Sequence, residues 1–290
     1  MNPTLKQAVA NDVRLAYWEH GSPQASRPSL FMVHATGFHG RLWDYLIEQL
    51  DPQQHVIAVD QRGHGHSESV PLTDWRQAGQ DLAELVPQLD GTRWVGVGHS
   101  MGAHALIDCA ALTGAFDRLL LLDPTVAAPE AYAAQAEPYW GDGLHPAAKR
   151  RDGFASVEEM MERLAGKSSF PFFHSRIFED YCRYGLEPAG EGLRLRCRPV
   201  VEAAVYMTAR TNGRIYESVA GLDVPVKVVR AQTPKGDGVM DWASSPTWPG
   251  LAGEFPNAVD VHWDDCTHFI PMQRPHEVVA LIRAELDASV

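Results

Sequence analysis

Short runs of apolar residues constrain this chain more than any other feature: Ser29 to Val33, His55 to Val59, Trp94 to Val97, Leu119 to Leu122, Val226 to Val229 and Ala258 to Trp263. A strand that is apolar throughout must be covered on both faces, which describes a parallel sheet between layers of helix. Between the runs, Trp43 to Leu50, Trp75 to Leu89 and Ala103 to Leu112 have helical spacing, and His276 to Leu286 reads as a closing helix after Pro275. The expected class is α/β, a mostly parallel central sheet flanked by helices.

The alternation stops between Pro124 and Leu222. This stretch lacks a strong strand candidate and is rich in Ala, Glu, Arg and aromatics: Tyr139, Trp140, Phe170, Phe172, Phe173, Phe178, Tyr181 and Tyr184. It reads as a helical insertion at 124–221 interrupting a core formed by 1–123 and 222–290, and at least two of its aromatics are expected to face a ligand site. With 290 residues and 45% apolar content, the chain has enough material for a full hydrophobic core.

The formal net charge of -12 argues against nucleic acid or an anionic membrane as partner, since both select basic patches. The N-terminal residues carry no uninterrupted apolar segment of the signal-peptide kind. Cys109, Cys182, Cys197 and Cys266 are widely spaced with no C-x-x-C, so the expectation is a reduced cytoplasmic protein without a metal clip.

Gly98-His99-Ser100-Met101-Gly102 follows the third apolar run and precedes a helical stretch of small residues. This G-x-S-x-G pattern suits a serine on a sharp strand-to-helix turn, where side chains two residues to either side would collide with neighbouring chain. The following helix would direct free N–H groups toward charge developing beside Ser100. Rival patterns fail at single residues. Met101 stands where a dinucleotide fingerprint needs its third glycine, Met161 where a phosphate loop needs its first, and Ala280 where a zinc-protease helix needs its second histidine.

In open parallel sheets ligands bind beyond the carboxyl ends of the strands. Four polar segments fall there: His34-Ala35-Thr36-Gly37-Phe38, Asp60-Gln61-Arg62-Gly63-His64-Gly65-His66-Ser67, the Ser100 turn, and Thr267-His268-Phe269-Ile270-Pro271. In this order they resemble the α/β-hydrolase superfamily, specifically its serine hydrolases with a helical cap. The resemblance implies Ser100 as nucleophile and His268 as base. It also implies the backbone N–H groups of Met101 and Thr36 as oxyanion donors, with Phe38 the alternative in the first loop. Ala35 departs from the usual His-Gly pair there. In the family the second segment is structural, and His64-x-His66 lacks the accompanying ligands of a metal site.

The acid has three candidates. Asp123 closes the fourth apolar run in Leu-Leu-Leu-Leu-Asp-Pro, whereas Asp237 and Asp241 follow the strand after the insertion, as in most relatives. A carboxylate at the rim of a buried strand is held more rigidly than one on a Pro/Gly loop, which favours Asp123.

The leading expectation is a cofactor-free hydrolase of a small carboxylic ester, thioester or lactone acting through an acyl-enzyme on Ser100. A serine at the turn excludes relatives that form an ester on aspartate. Carbon–carbon bond hydrolysis and perhydrolysis use the same triad and stay open, as does a non-catalytic small-molecule receptor on the same scaffold. The aromatic insertion also leaves a homodimer open.

Overall fold

The computed structural model describes residues 3–91, 93–133, 143–233 and 243–289. The chain opens with a hairpin, β1 (Thr4–Ala10) and β2 (Val13–His20), whose two-residue turn places Asn11 and Asp12 at φ 49 and 59. Asn and Asp are the non-glycine residues that best tolerate this left-handed geometry, which matches the twist of the flanking strands. There follow β3 (Ser29–Val33), the single turn α1 (Asp44–Ile47), β4 (Val56–Asp60), α2 (Arg76–Leu85), β5 (Trp94–His99), α3 (Met101–Thr113) and β6 (Phe116–Leu122).

Between β6 and the next strand of the main sheet lie α4 (Pro129–Ala133), β7 (Gly153–Phe154), α5 (Val157–Leu164), α6 (Ser175–Tyr184), β8 (Leu186–Ala189), β9 (Gly192–Leu195), α7 (Pro199–Met207) and α8 (Ile215–Ala220). The chain then returns as β10 (Val226–Arg230), β11 (Ala258–His262), α9 (Ile270–Gln273) and α10 (Pro275–Asp287). The intervening segment is therefore not purely helical. β7, β9 and β8 form a small antiparallel sheet, with Gly190 at φ 61 turning β8 into β9.

The main sheet has eight strands in the order β1-β2-β4-β3-β5-β6-β10-β11. It is parallel from β4 to β11, and β1 and β2 add an antiparallel edge. Every residue of β3, β4 and β5 is buried, because helices cover both faces. Alternation along these strands divides the core in two. Phe31, Val33, Ile57 and Val59 pack under α2, α3 and α8, while Leu30, Met32, Val56 and Ala58 pack toward α1 and α10. The apolar run at Ala258 becomes the edge strand β11, where Val259 is exposed.

Phe170, Phe173, Phe178 and Tyr181 of the intervening segment pack onto the second core, whereas Phe172 is exposed. Phe173 and Tyr181 meet Phe38 with ring centroids 6.2 and 5.4 Å apart, and Phe173 lies 5.3 Å from Phe269. Tyr139 and Trp140 lie outside the described residues. All four cysteines are buried as free thiols, and among the described residues no helix is long and apolar enough to cross a membrane.

The parallel order gathers the carboxyl ends of β3, β5, β6 and β10 at one edge, and glycine makes the closest approach there feasible. A Cβ on Gly102 would lie 2.3 Å from the His34 carbonyl oxygen and 2.5 Å from that of Val33. Both obstacles are backbone and cannot swing aside. Gly102→Ala is therefore expected to cost about 1–3 kcal/mol or more, read as a lowered midpoint in thermal unfolding. An unchanged midpoint would contradict this packing.

Candidate active site

Ser100 sits between the last residue of β5 and the first of α3, with φ 57 and ψ -120. Such a conformation is strained for a residue with a Cβ and persists only where its surroundings hold it. Here the Ser100 N–H donates to Leu122 O at 3.0 Å, while Ser100 O accepts from the N–H groups of Ala103, His104 and Thr125 at 3.1, 3.2 and 3.2 Å. The turn is thus fastened both to its own helix and to the end of β6. Its side chain is left projecting beyond the sheet.

His268 lies between β11 and α9, more than 160 residues along the chain from Ser100. Its N–H donates to Ala243 O at 2.9 Å, and its carbonyl accepts from His99 Nε2 at 2.9 Å. These contacts orient the ring so that Nε2 is 2.9 Å from Ser100 Oγ and Nδ1 is 2.6 Å from Asp123 Oδ2. All three side chains are buried.

Asp123 closes β6 with φ 47, and its N–H donates to Val229 O at 2.7 Å. Its second oxygen, Oδ1, accepts from Ala231 N at 3.0 Å, Ser245 Oγ at 2.5 Å and Thr247 Oγ1 at 3.1 Å. A fully buried carboxylate is costly unless donors surround it; His268, Ala231 and Ser245 donate to this one, and Thr247 Oγ1 shares its one proton between Oδ1 and Pro124 O at 2.7 Å. They fix the plane of the carboxylate while Oδ2 faces the imidazole. Asp237 and Asp241 lie outside the described residues.

The loop after β3 shows how its N–H groups are apportioned. The Phe38 N–H donates to Ala35 O at 3.2 Å, and the Gly37 N–H donates to His64 Nε2 at 2.9 Å. Phe38, the alternative donor, is therefore committed to a turn. Among the described residues no hydrogen bond engages the Thr36 N–H. Thr36 Oγ1 reaches Met101 Sδ at 3.7 Å, so the two residues expected to supply N–H groups lie side by side.

Two buried histidines shape this loop. His64 Nδ1 donates to Arg62 O at 2.9 Å, which leaves Nε2 as acceptor for Gly37. His34 Nδ1 donates to Ala35 O at 2.8 Å, and its Nε2 accepts from Gln61 N at 3.1 Å. Burial favours the neutral rings, pushing His64 down to about 4 and His34 well below its ordinary value. Both nitrogens of His64 are thus occupied within the protein. Among the described residues no group of three or more His, Cys, Asp or Glu is placed to hold a metal ion.

Sequence reasoning passed over Thr125, Ser245 and Thr247. Thr125 Oγ1 lies 3.1 Å from Ser100 Oγ. Its signal was position, two residues beyond a candidate acid at a strand end. Ser245 and Thr247 come to Asp123 from a loop after β10 and carry no local pattern that marks them.

A family model described as "Alpha/beta hydrolase family" matches residues 30–281. The chain belongs to this family. It is 31% identical over 130 residues to pimeloyl-[acyl-carrier protein] methyl ester esterase of Vibrio atlanticus (strain LGP32), covering 45% of this chain and 46% of that protein. It is 28% identical over 263 residues to lipase LipV of Mycobacterium tuberculosis (strain ATCC 25618 / H37Rv), covering 88% and 91%. In the first of these matches the chain spans less than half the length of the relative. The fold also matches the crystal structure of E-2-(acetamidomethylene)succinate hydrolase with a TM-score of 0.73, at 21% identity over 99% of this chain and 100% of that one.

The histidines that shape the Thr36 loop make the fold sensitive to acid. An unfolded histidine titrates near 6.5 and folded His64 near 4, so between these values the unfolded chain takes up a proton that the native state refuses. Stability is present above 6.5 and is lost as pH falls toward 4. Denaturant titrations are expected to show that loss, with a shallower pH slope in His64→Gln. An identical slope in the variant would contradict the assignment.

Proposed function

We propose that this protein is a serine hydrolase acting on a small carboxylic ester, thioester or lactone. The observation that carries the reading is the continuous hydrogen-bonded chain from Ser100 Oγ through His268 to Asp123 Oδ2. Family membership and relatives named as esterase and lipase support it.

Asp123 accepts the Nδ1 proton of His268, which leaves Nε2 free to act as base. As Ser100 Oγ attacks the substrate carbonyl carbon, its proton passes to Nε2 and the carbonyl π electrons move to oxygen. The N–H groups of Thr36 and Met101 donate to that oxyanion. Collapse expels the alcohol, thiol or ring oxygen with the Nε2 proton and leaves an acyl-serine. Water then attacks with His268 again as base, releasing the acid and restoring Ser100. The segment 124–221 supplies a cap, and its aromatic packing near Phe38 and Phe269 suits an acyl group of modest polarity.

Short-chain p-nitrophenyl esters test the reading. Ser100→Ala is expected to reduce hydrolysis to background. Asp123→Asn preserves shape while stabilising the wrong imidazole tautomer, and its kcat should fall by about 10⁴ with folding intact. Wild-type turnover in Ser100→Ala, or near-normal kcat in Asp123→Asn, would overturn the assignment.

A further inference from the structure

We propose that Thr125 is a fourth catalytic residue, whose hydroxyl donates to Ser100 Oγ and holds it on the line of attack. The inference rests on the serine-hydrolase reading above. Thr125 Oγ1 lies 3.1 Å from Ser100 Oγ, and the direction of the bond follows from its neighbours. With the His268 Nδ1 proton given to Asp123, Nε2 is an acceptor and receives the one proton of the Ser100 hydroxyl. The bond between the two hydroxyls must therefore run from Thr125 to Ser100.

Thr125 is itself tied down on both sides. Its N–H donates to Ser100 O at 3.2 Å, and its carbonyl accepts from His104 Nδ1 at 2.9 Å. His104 lies one turn into α3, and its Nε2 accepts from Asn212 Nδ2 at 3.0 Å. The other proton of that amide goes to Asp108 Oδ2 at 2.6 Å, while Asp108 Oδ1 accepts from Ser218 Oγ at 2.6 Å. His104, Asn212 and Asp108 are all buried. A continuous polar chain thus runs from the segment between β6 and β10, beneath the nucleophile's helix, to the nucleophile itself. Threonine adds stiffness, because its branched Cβ restricts χ1.

A serine with one partner retains access to other staggered wells, whereas partners on two sides leave it one. During attack, one Oγ lone pair forms the bond to the carbonyl carbon and the Ser100 proton moves to Nε2. The Thr125 proton stays on Thr125, so the hydroxyl orients the nucleophile without being consumed.

The test is the rate constant for covalent labelling by a fluorophosphonate, which reports Oγ attack alone, measured beside ester turnover. Thr125→Val keeps the shape and removes the donor. It should label about tenfold more slowly and lose kcat in proportion, with KM little changed, while Thr125→Ser recovers most of both. If the valine variant fails to fold, Thr125→Ser against Thr125→Ala isolates the same hydroxyl. Equal labelling rates in wild type and the hydroxyl-less variants would overturn the role of Thr125 alone. So would a serine variant as slow as valine, since a hydroxyl that is present would then fail to restore the rate. A wild-type protein that takes no label would overturn the serine-hydrolase reading from which the proposal starts.

Discussion

The backbone of Ser100, held at φ 57 and ψ -120, is the constraint around which this site is arranged. A side chain can stand clear of the sheet in this way only if the turn is tight, and a tight turn brings backbone within contact distance on both sides. Gly98 and Gly102 meet that condition, since a Cβ on either would lie within 2.5 Å of neighbouring backbone. The strain is offset by hydrogen bonds from the Ser100 peptide to β6, to α3 and to Thr125. The parallel order of the strands then delivers Asp123 and the Thr36 loop to the same edge, while the His268 loop arrives from beyond β11.

Burial has different consequences for different groups around this turn. Asp123 is wholly buried and survives there because Ala231, Ser245 and His268 donate to it. His34, His64 and His99 are also buried, and desolvation keeps their rings neutral, with His99 pushed down to about 3. Neutral imidazoles present one donor and one acceptor. The neutral His34 and His64 rings therefore serve as shaped hydrogen-bonding wedges between the second and first loops. The polar residues of Asp60 to Ser67 consequently support the site from behind.

Much of the fold was legible because burial on both faces leaves a strong mark: β3, β4, β5 and β6 are apolar runs that mean little except central strands. The turn at Ser100 was legible for a similar reason, as its glycines are required by contact with backbone. Rigidity favoured Asp123 over Asp237 and Asp241 in the sequence; Asp123 Oδ2 lies 2.6 Å from His268 Nδ1, while Asp237 and Asp241 lie outside the described residues. Other features leave weaker traces. The hairpin β1–β2 has one solvated strand, β1, so no apolar run marks it in the sequence. The small sheet β7–β9–β8 has strands of two to four residues, too short for a periodic pattern. β11 read as a buried strand from composition yet lies at an edge, because order within a sheet is decided by crossovers that no local pattern records. Ser245 and Thr247 were invisible since their contacts with Asp123 are made across the fold, and Thr125 was marked only by its place two residues beyond Asp123.

The central claim is that Ser100 Oγ becomes acylated during turnover. Rapid mixing with p-nitrophenyl acetate, acid quench and peptide mass analysis measures this directly. The account predicts an early burst of p-nitrophenolate approaching one equivalent per chain and an acetyl group on the peptide carrying Ser100, provided that hydrolysis of the acyl-enzyme is the slower step. Esterase turnover with the acetyl group on another residue, or turnover that persists unchanged when Ser100 is replaced by alanine, would contradict it.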